Sequence, residues 1–197
     1  QQEKIGKVIS AKSHWGEYLP GWHPWEDYRK SYSARADLGG GVVNTLSHPF
    51  DYLRWLLGEA KSLTAVTSNA GLGLNVEDTA DVLITFGTGT SANVHLDYLQ
   101  RLPQHTLELT GTTGRITWDN ATALARCYDA TQETWQEYPP PQGFERNHLF
   151  LAEMAHFLRV ARGEEAPCCT LEDGIAAILI TEAVHRSARE GCLVKFN

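Results

Sequence analysis

Apolar and polar residues follow two different rhythms along this chain, and the places where one gives way to the other define the expected elements. Residues 4–13 mix β-branched residues with alternating polarity, which predicts a strand. After Gly39-Gly40-Gly41, the residues Val42, Leu46, Phe50, Leu53 and Leu57 recur every third or fourth position, which predicts a helix stopped by Gly58. Pro49 lacks an amide hydrogen and crowds the carbonyl one turn back, so this helix is expected to kink or to start late. Between residues 60 and 138 the period becomes two, over 62–69, 78–86, 91–100, 106–110, 115–119, 124–129 and 134–138. Connections holding Gly87-Thr88-Gly89 and Gly111-Thr112-Thr113-Gly114 predict hairpins between these strands. Two helices follow. The first, over 145–162, ends at Gly163; the second, over 171–189, opens on a capping box of Thr170 and Asp173, places Ile175, Ile178, Leu179 and Glu182 on one face, and ends at Gly191. Strands grouped together, with helices at both ends, give an α+β fold with a mostly antiparallel sheet rather than a doubly wound α/β fold.

Composition narrows the partners. With 197 residues, 42% of them hydrophobic, the chain can bury one sizeable core, and a single domain over 1–197 is expected. A net charge of −7 with dispersed Lys and Arg argues against nucleic acid. No apolar run approaches the roughly 20 residues of a membrane span, so no membrane partner and a soluble, cytoplasmic protein are expected. Cys127, Cys168, Cys169 and Cys192 include no C-x-x-C pair, which suggests neither a zinc cage nor a disulfide framework. The chain opens on Gln-Gln-Glu-Lys and enters extended structure at once, so a fragment or a processed product is expected.

Two glycine motifs invite opposite readings. Gly87-x-Gly89-x-x-Ala92 has the spacing of a dinucleotide turn, but a pyrophosphate needs the N-terminus of a helix after it. The residues that follow, Ser91 to Asp97, alternate like a strand, so this is read as a hairpin and no cofactor-binding residue is expected in the chain. The run Gly39-Gly40-Gly41-x-x-Asn44-x-x-x-His48-x-x-Asp51 is more informative. On one helix these three side chains share a face, and an imidazole titrating near neutrality can take the proton of an alcohol while an amide holds a neighbouring hydroxyl. Residues 14–37 hold three Trp, three Tyr, two His and two Pro, a density that suggests a packed lid or substrate loop. Within it Tyr18, Trp22, Tyr28 and Arg29 offer flat apolar faces and fixed donors suited to a sugar ring, or equally a means of packing the loop onto the sheet. His95 and Asp97 point to one side of their strand, as a polar or oligomer-facing surface also requires.

The segment GGGVVNTLSHPFDYLRWLLGE resembles the first long helix of the C-terminal domain of the Gfo/Idh/MocA family, which includes glucose-fructose oxidoreductase and inositol dehydrogenase. The opening GKVISAKSHWGEYLPGWHPWEDYRKSYSARADLGGG, the stretch HTLELTGTTGRITWD and the C-terminal EMAHFLRVARGEEAPCCTLEDGIAAILITEAVHRSAREG resemble other parts of the same domain, so most of the chain is covered. The resemblance implies a large, open-faced, mostly antiparallel sheet with helices packed on one face, the dihydrodipicolinate-reductase-like arrangement. It also implies a separate N-terminal Rossmann domain, absent from this chain, that binds NAD or NADP and contributes a Lys beside the helix His. His48 matches that His. One turn earlier the family usually has Asp, where this sequence has Asn44, which can hold a hydroxyl but cannot act as a base. The LSHPFDYLRWLLG variant is similar to members associated with amino-sugar or nucleotide-sugar contexts.

The expectation is therefore the C-terminal substrate-binding and oligomerisation domain of an NAD(P)-dependent oxidoreductase acting on a sugar, polyol or nucleotide-sugar-like alcohol or ketone. His48 is the expected catalytic residue; Asn44, Tyr18, Trp22, Tyr28, Arg29 and Asp51 are the expected substrate contacts; no metal is expected. The isolated chain is expected to be inactive and to pair as a homodimer or higher oligomer through its open sheet. Two alternatives stay open. One is a non-catalytic dimerisation or sugar-binding module; the other is a metal-dependent isomerase or hydrolase built on His48, Asp51 and a loop histidine such as His14 or His23.

Overall fold

A computed structural model describes residues 2–196. A short turn of helix, α1 (Gln2–Ile5), leads into β1 (Val8–Tyr18), and four 3-10 turns between Leu19 and Leu38 then carry the chain to α2 (Val42–Thr45) and α3 (His48–Leu57). The strands β2 (Ala60–Ser68), β3 (Thr79–Phe86), β4 (Ser91–Asp97), β5 (Leu99–Gly111), β6 (Gly114–Asp119), β7 (Leu124–Asp129) and β8 (Thr134–Tyr138) follow. The chain closes with α4 (Asn147–Ala161), α5 (Leu171–Glu190) and the short β9 (Val194–Lys195). Together the strands make one nine-stranded sheet in the order β8-β7-β6-β5-β1-β4-β3-β2-β9. Every neighbouring pair is antiparallel except β1 and β4, which run parallel because β1 enters the middle of the sheet from a distant part of the chain. The fold is α+β, as the pattern predicts.

Alternation along the strands divides the sheet into two unlike faces. Val82, Ile84, Phe86, Val94, Leu96, Leu63 and Leu109 point to one face and are buried there with Phe50, Leu53 and Leu57 of α3 and Ile180 and Val184 of α5. Each such side chain contributes about 1.5–3 kcal/mol of burial, which makes this face the core of the domain. The other face carries Lys12, His14, Asp81, Asn93, His95, Glu108 and Thr117 and, among the described residues, no helix packs on it.

The glycine run and Pro49 break the expected long helix into two. Gly41, at φ 109 and ψ 153, turns the chain into α2, whose first amides are taken by the Glu77 backbone carbonyl, 3.0 Å from the Val42 amide nitrogen, and by the Glu77 carboxylate, 3.1 Å from that of Val43. The buried Tyr98 hydroxyl donates to the Gly41 carbonyl at 2.9 Å and fixes the same corner. Helix α3 then restarts at His48 with Pro49 in its first turn, where the missing amide costs nothing. Pro49 thus produces the late start.

Two expectations are revised in detail, and the burial of the C-terminal helices adds to them. The first strand begins at Val8 and runs through Tyr18, taking Trp15 and Glu17 out of the expected loop and into the sheet. The sheet has nine strands rather than seven, because β1 and the C-terminal β9 join it. In α5 the buried face is Ile180, Ala183, Val184 and Ser187, while Ile175, Ile178 and Leu179 stand exposed. Helix α4 buries none of its residues and leaves Phe150, Leu151, Met154 and Phe157 in contact with solvent.

Candidate active site

His48 begins α3 and lies exposed at the edge of the helix-covered face. Its ring stacks on the indole of Trp15 from β1, with centroids 5.4 Å apart and planes 16° from parallel. The same indole stacks on His105 of β5 at 4.2 Å and 1°. Trp118 of β6 closes that side, edge-on to His105 at 5.1 Å. Strand pairing explains the row: Trp15 lies opposite His105 in the β1–β5 register, and both point toward α3.

Tyr52, one turn after His48 on α3, reaches down to this row. Its hydroxyl shares a hydrogen bond of 2.5 Å with Ser13 and lies 3.3 Å from Nε2 of His105. Burial pushes the Tyr52 phenol up to about 12, against a smaller opposing effect of the Ser13 hydrogen bond, so the group is a neutral hydroxyl. Burial, with a smaller contribution from the charge of His48, lowers the His105 imidazole to about 4, so it too is neutral at physiological pH. His48 differs from both in having no hydrogen-bonding partner among the described residues, which leaves the nitrogen-bearing edge of its ring free. A stacked, exposed imidazole beside neutral groups can accept or return a proton at a bound hydroxyl.

The other expected site residues divide into those beside His48 and those engaged elsewhere. Asp51 follows on the same helix turn, half-buried. Asn44 lies on α2, beyond the helix break, so it does not stack one turn below His48 on a single helix. Its amide donates to the Gly39 carbonyl at 3.1 Å, and its oxygen lies 3.3 Å from Nε2 of His185 on α5. Trp22 donates to Glu17 at 3.0 Å and packs edge-on against Tyr98 at 5.8 Å. The guanidinium of Arg101 lies over Tyr18 at 4.3 Å, and that of Arg29 over Tyr28 at 4.6 Å. Among the described residues, no hydrogen bond, ion pair or ring contact joins these four aromatic-loop residues to His48. Trp15, Tyr52 and His105 were not singled out by sequence reasoning. The alternation that turns Trp15 and His105 to the same face was the available signal, but it acts only once the β1–β5 pairing is known.

Gly87-Thr88-Gly89 is the turn between β3 and β4. The Gly89 amide is bonded to the Phe86 carbonyl at 3.0 Å, strands run on both sides, and no helix begins there to face a pyrophosphate.

Residues 1–117 match the GFO/IDH/MocA C-terminal domain. The chain belongs to the Gfo/Idh/MocA family. It is 29% identical over 174 residues to the rhizopine catabolism protein MocA of Rhizobium meliloti, covering 84% of this chain and 49% of that protein. It is 27% identical over 161 residues to the D-apiose dehydrogenase of Paraburkholderia graminis, covering 75% of this chain and 42% of the relative. Among solved structures, levoglucosan dehydrogenase in complex with NADH and L-sorbose superposes with a TM-score of 0.87 at 19% identity, over 100% of this chain and 60% of that one. At that identity the likeness shows the fold. The chain spans about half the length of the curated Gfo/Idh/MocA relatives that it matches.

Proposed function

We propose that this chain is the C-terminal substrate-binding half of an NAD(P)-dependent oxidoreductase that interconverts an alcohol and a ketone on a sugar, polyol or nucleotide-sugar-like substrate. The observation that carries the reading is His48, an exposed imidazole with a free edge stacked on Trp15, which the sequence resemblance matches to the acid-base histidine of the Gfo/Idh/MocA family. Supporting it, the relatives include a D-apiose dehydrogenase, and a structural neighbour was solved with NADH and L-sorbose.

In this reading the substrate hydroxyl lies against His48, which takes its proton as the carbon gives up hydride, and returns it in the reverse direction. A nicotinamide cofactor, held by a nucleotide-binding domain of the whole protein, would supply the hydride chemistry there, and the residues of this chain handle the substrate and its proton. Trp15 fixes the plane of the imidazole, and the neutral phenol of Tyr52 and imidazole of His105 add no charge to compete for the proton. Asn44 keeps one N–H free to hold a second hydroxyl, while Asp51 and the aromatic loop, with Tyr18, Trp22, Tyr28 and Arg29, border the substrate. The exposed apolar faces of α4 and of the first half of α5 are where the nucleotide-binding domain would pack. The uncovered sheet face is the surface through which two copies would pair.

The test is an assay of the full-length gene product beside the 197-residue chain, each with a panel of sugars and polyols and with NAD or NADP. The full-length protein reduces the cofactor with at least one carbohydrate, and the chain alone does not. Turnover by the chain alone, or a full-length protein inert toward every alcohol and ketone tried, contradicts the proposal.

A further inference from the structure

The open face of the sheet, the proposed pairing surface, carries a second cluster that takes no part in the proton transfer at His48. His14 on β1 lies opposite His95 on the parallel strand β4, with ring centroids 4.8 Å apart. Asp97, two residues beyond His95, points the same way and is nearly buried, with its side chain 8% exposed. Its Oδ2 lies 3.3 Å from Nε2 of His95 and 4.0 Å from Nε2 of His14, so each of the three residues offers one donor atom to a common point. Behind His95, Nδ1 is held at 2.8 Å by the carboxylate of Asp81 on β3. Beside His14, Oε1 of Gln100 lies 2.8 Å from Nε2.

Room for this convergence comes from Gly16. A Cβ at that position would fall 1.6 Å from Oε1 of Gln100 and 2.3 Å from Oδ2 of Asp97, so any other residue would push both oxygens off the strand. The cluster therefore consists of two imidazole nitrogens and a sheltered carboxylate oxygen, with an amide oxygen alongside, in space that a glycine leaves for these oxygens.

We propose that His14, His95 and Asp97 form a binding site for a divalent transition-metal cation of the zinc class, with Gln100 or water as the fourth ligand and Asp81 orienting His95. Imidazole with carboxylate suits zinc, cobalt or nickel, whereas magnesium and calcium take oxygen ligands alone. A tetrahedral ion with bonds of about 2.0–2.1 Å needs donors a little over 3 Å apart, roughly the spacing already present between His95 and Asp97. His14 has only to close on the other two. The Asp81 carboxylate on Nδ1 is the arrangement that fixes a ligating histidine's tautomer and points its Nε2 lone pair at the ion. On binding, the proton on Nε2 of His95 leaves to solvent and the cation takes its place beside Oδ2 of Asp97. The bound ion ties β1 to β4 at the one parallel pairing of the sheet.

The site is independent of His48, and so is its test. The full-length protein, stripped with chelator and dialysed, is titrated calorimetrically with Zn2+, and with Co2+ read by its visible absorption. One ion per chain is expected, with affinity reduced at least ~100-fold by His95→Gln or Asp97→Asn and about 10–100-fold by Asp81→Asn, while His48→Asn binds as the parent does. Asp81 lies on the surface, so its variant remains readable if an inner-ligand variant fails to fold. Absence of stoichiometric binding, binding unchanged in folded His95→Gln and Asp81→Asn, or binding lost in His48→Asn overturns the proposal and leaves the cluster as an ion-pair network only.

Discussion

The indole of Trp15 forms the surface on which the His48 ring lies, 5.4 Å between centroids and 16° from parallel. Trp15 comes from the middle of the sheet and His48 from the start of a helix, so the contact joins the centre of the sheet to the residue proposed to move a proton. Replacing Trp15 with Leu removes the flat support and part of a half-buried side chain. The expected outcome is a loss of about 2 kcal/mol in unfolding free energy and at least a tenfold drop in kcat of the full-length protein, from a less well-placed imidazole. Denaturant unfolding and steady-state kinetics on the same preparation check both.

His105 sets a pH dependence of known sign. Its folded-state value of about 4 lies below the ordinary histidine range because burial, aided by the nearby charge of His48, penalises the cation. The unfolded chain therefore binds more protons between about pH 6.5 and 4, and the stability associated with the neutral ring, full above that window, is lost as pH falls through it. The term is on the order of 2 kcal/mol after allowance for the ring's partial exposure. Unfolding curves at several pH values should show a shallower acid slope for His105→Gln than for the parent, and NMR titration should find the His105 imidazole neutral at pH 6.

A capping box fixes the start of α5, and an ion pair ties it to α3. Thr170 accepts from the Asp173 amide at 3.2 Å while Asp173 accepts from the Thr170 amide at 2.9 Å, completing the capping box. Asp173 also accepts from Arg54 at 2.8 Å, and these bonds hold its carboxyl down at about 2. Thr170→Ala should cost about 1 kcal/mol, and Arg54→Met about 1–3 kcal/mol because it also leaves Glu59 without its cation. Thermal unfolding of the two variants and their combination measures both costs, and the combined loss should fall short of the sum because the two share Asp173.

Gly41 adopts φ 109 and ψ 153, a region closed to other residues, and a Cβ there would sit 2.2 Å from Oε1 of Glu77. Gly41→Ala should destabilise the protein by roughly 1–3 kcal/mol and displace the Glu77 carboxylate from the start of α2. Denaturant unfolding gives the first quantity, and loss of amide-exchange protection at Val43 reports the second.

The elements that local chemistry specifies were legible in the sequence. Strands β7 and β8 fall where alternation places them, the capping box starts α5 at Leu171, and Pro49 starts α3 late. What stayed hidden depends on pairing between distant segments. Trp15 and His105 are neighbours only because β1 inserts between β4 and β5, and the same insertion sets His14 beside His95. The aromatic density after residue 14 suggested a loop because Trp15 and Tyr18 suit a lid as well as a strand, and only the ladder to β5 decides between them. Asn44 and His48 were expected on one helix turn, but the break at Leu46 and Ser47 turned Asn44 toward His185. For Tyr18, Trp22, Tyr28 and Arg29, residue type alone did not distinguish substrate contact from packing; their hydrogen bonds and ring contacts lie within their own segment, on Tyr98 or on Arg101, and Trp22 and Tyr28 also pack against the core.

His48 is proposed to carry the proton in an alcohol–ketone interconversion. The most direct test is the kcat of full-length His48→Asn with the best carbohydrate substrate and NAD or NADP, compared with the parent across pH. The expected result is a fall of about 10²–10⁴ in kcat with folding intact. A variant that turns over within a few-fold of the parent at every pH would contradict it.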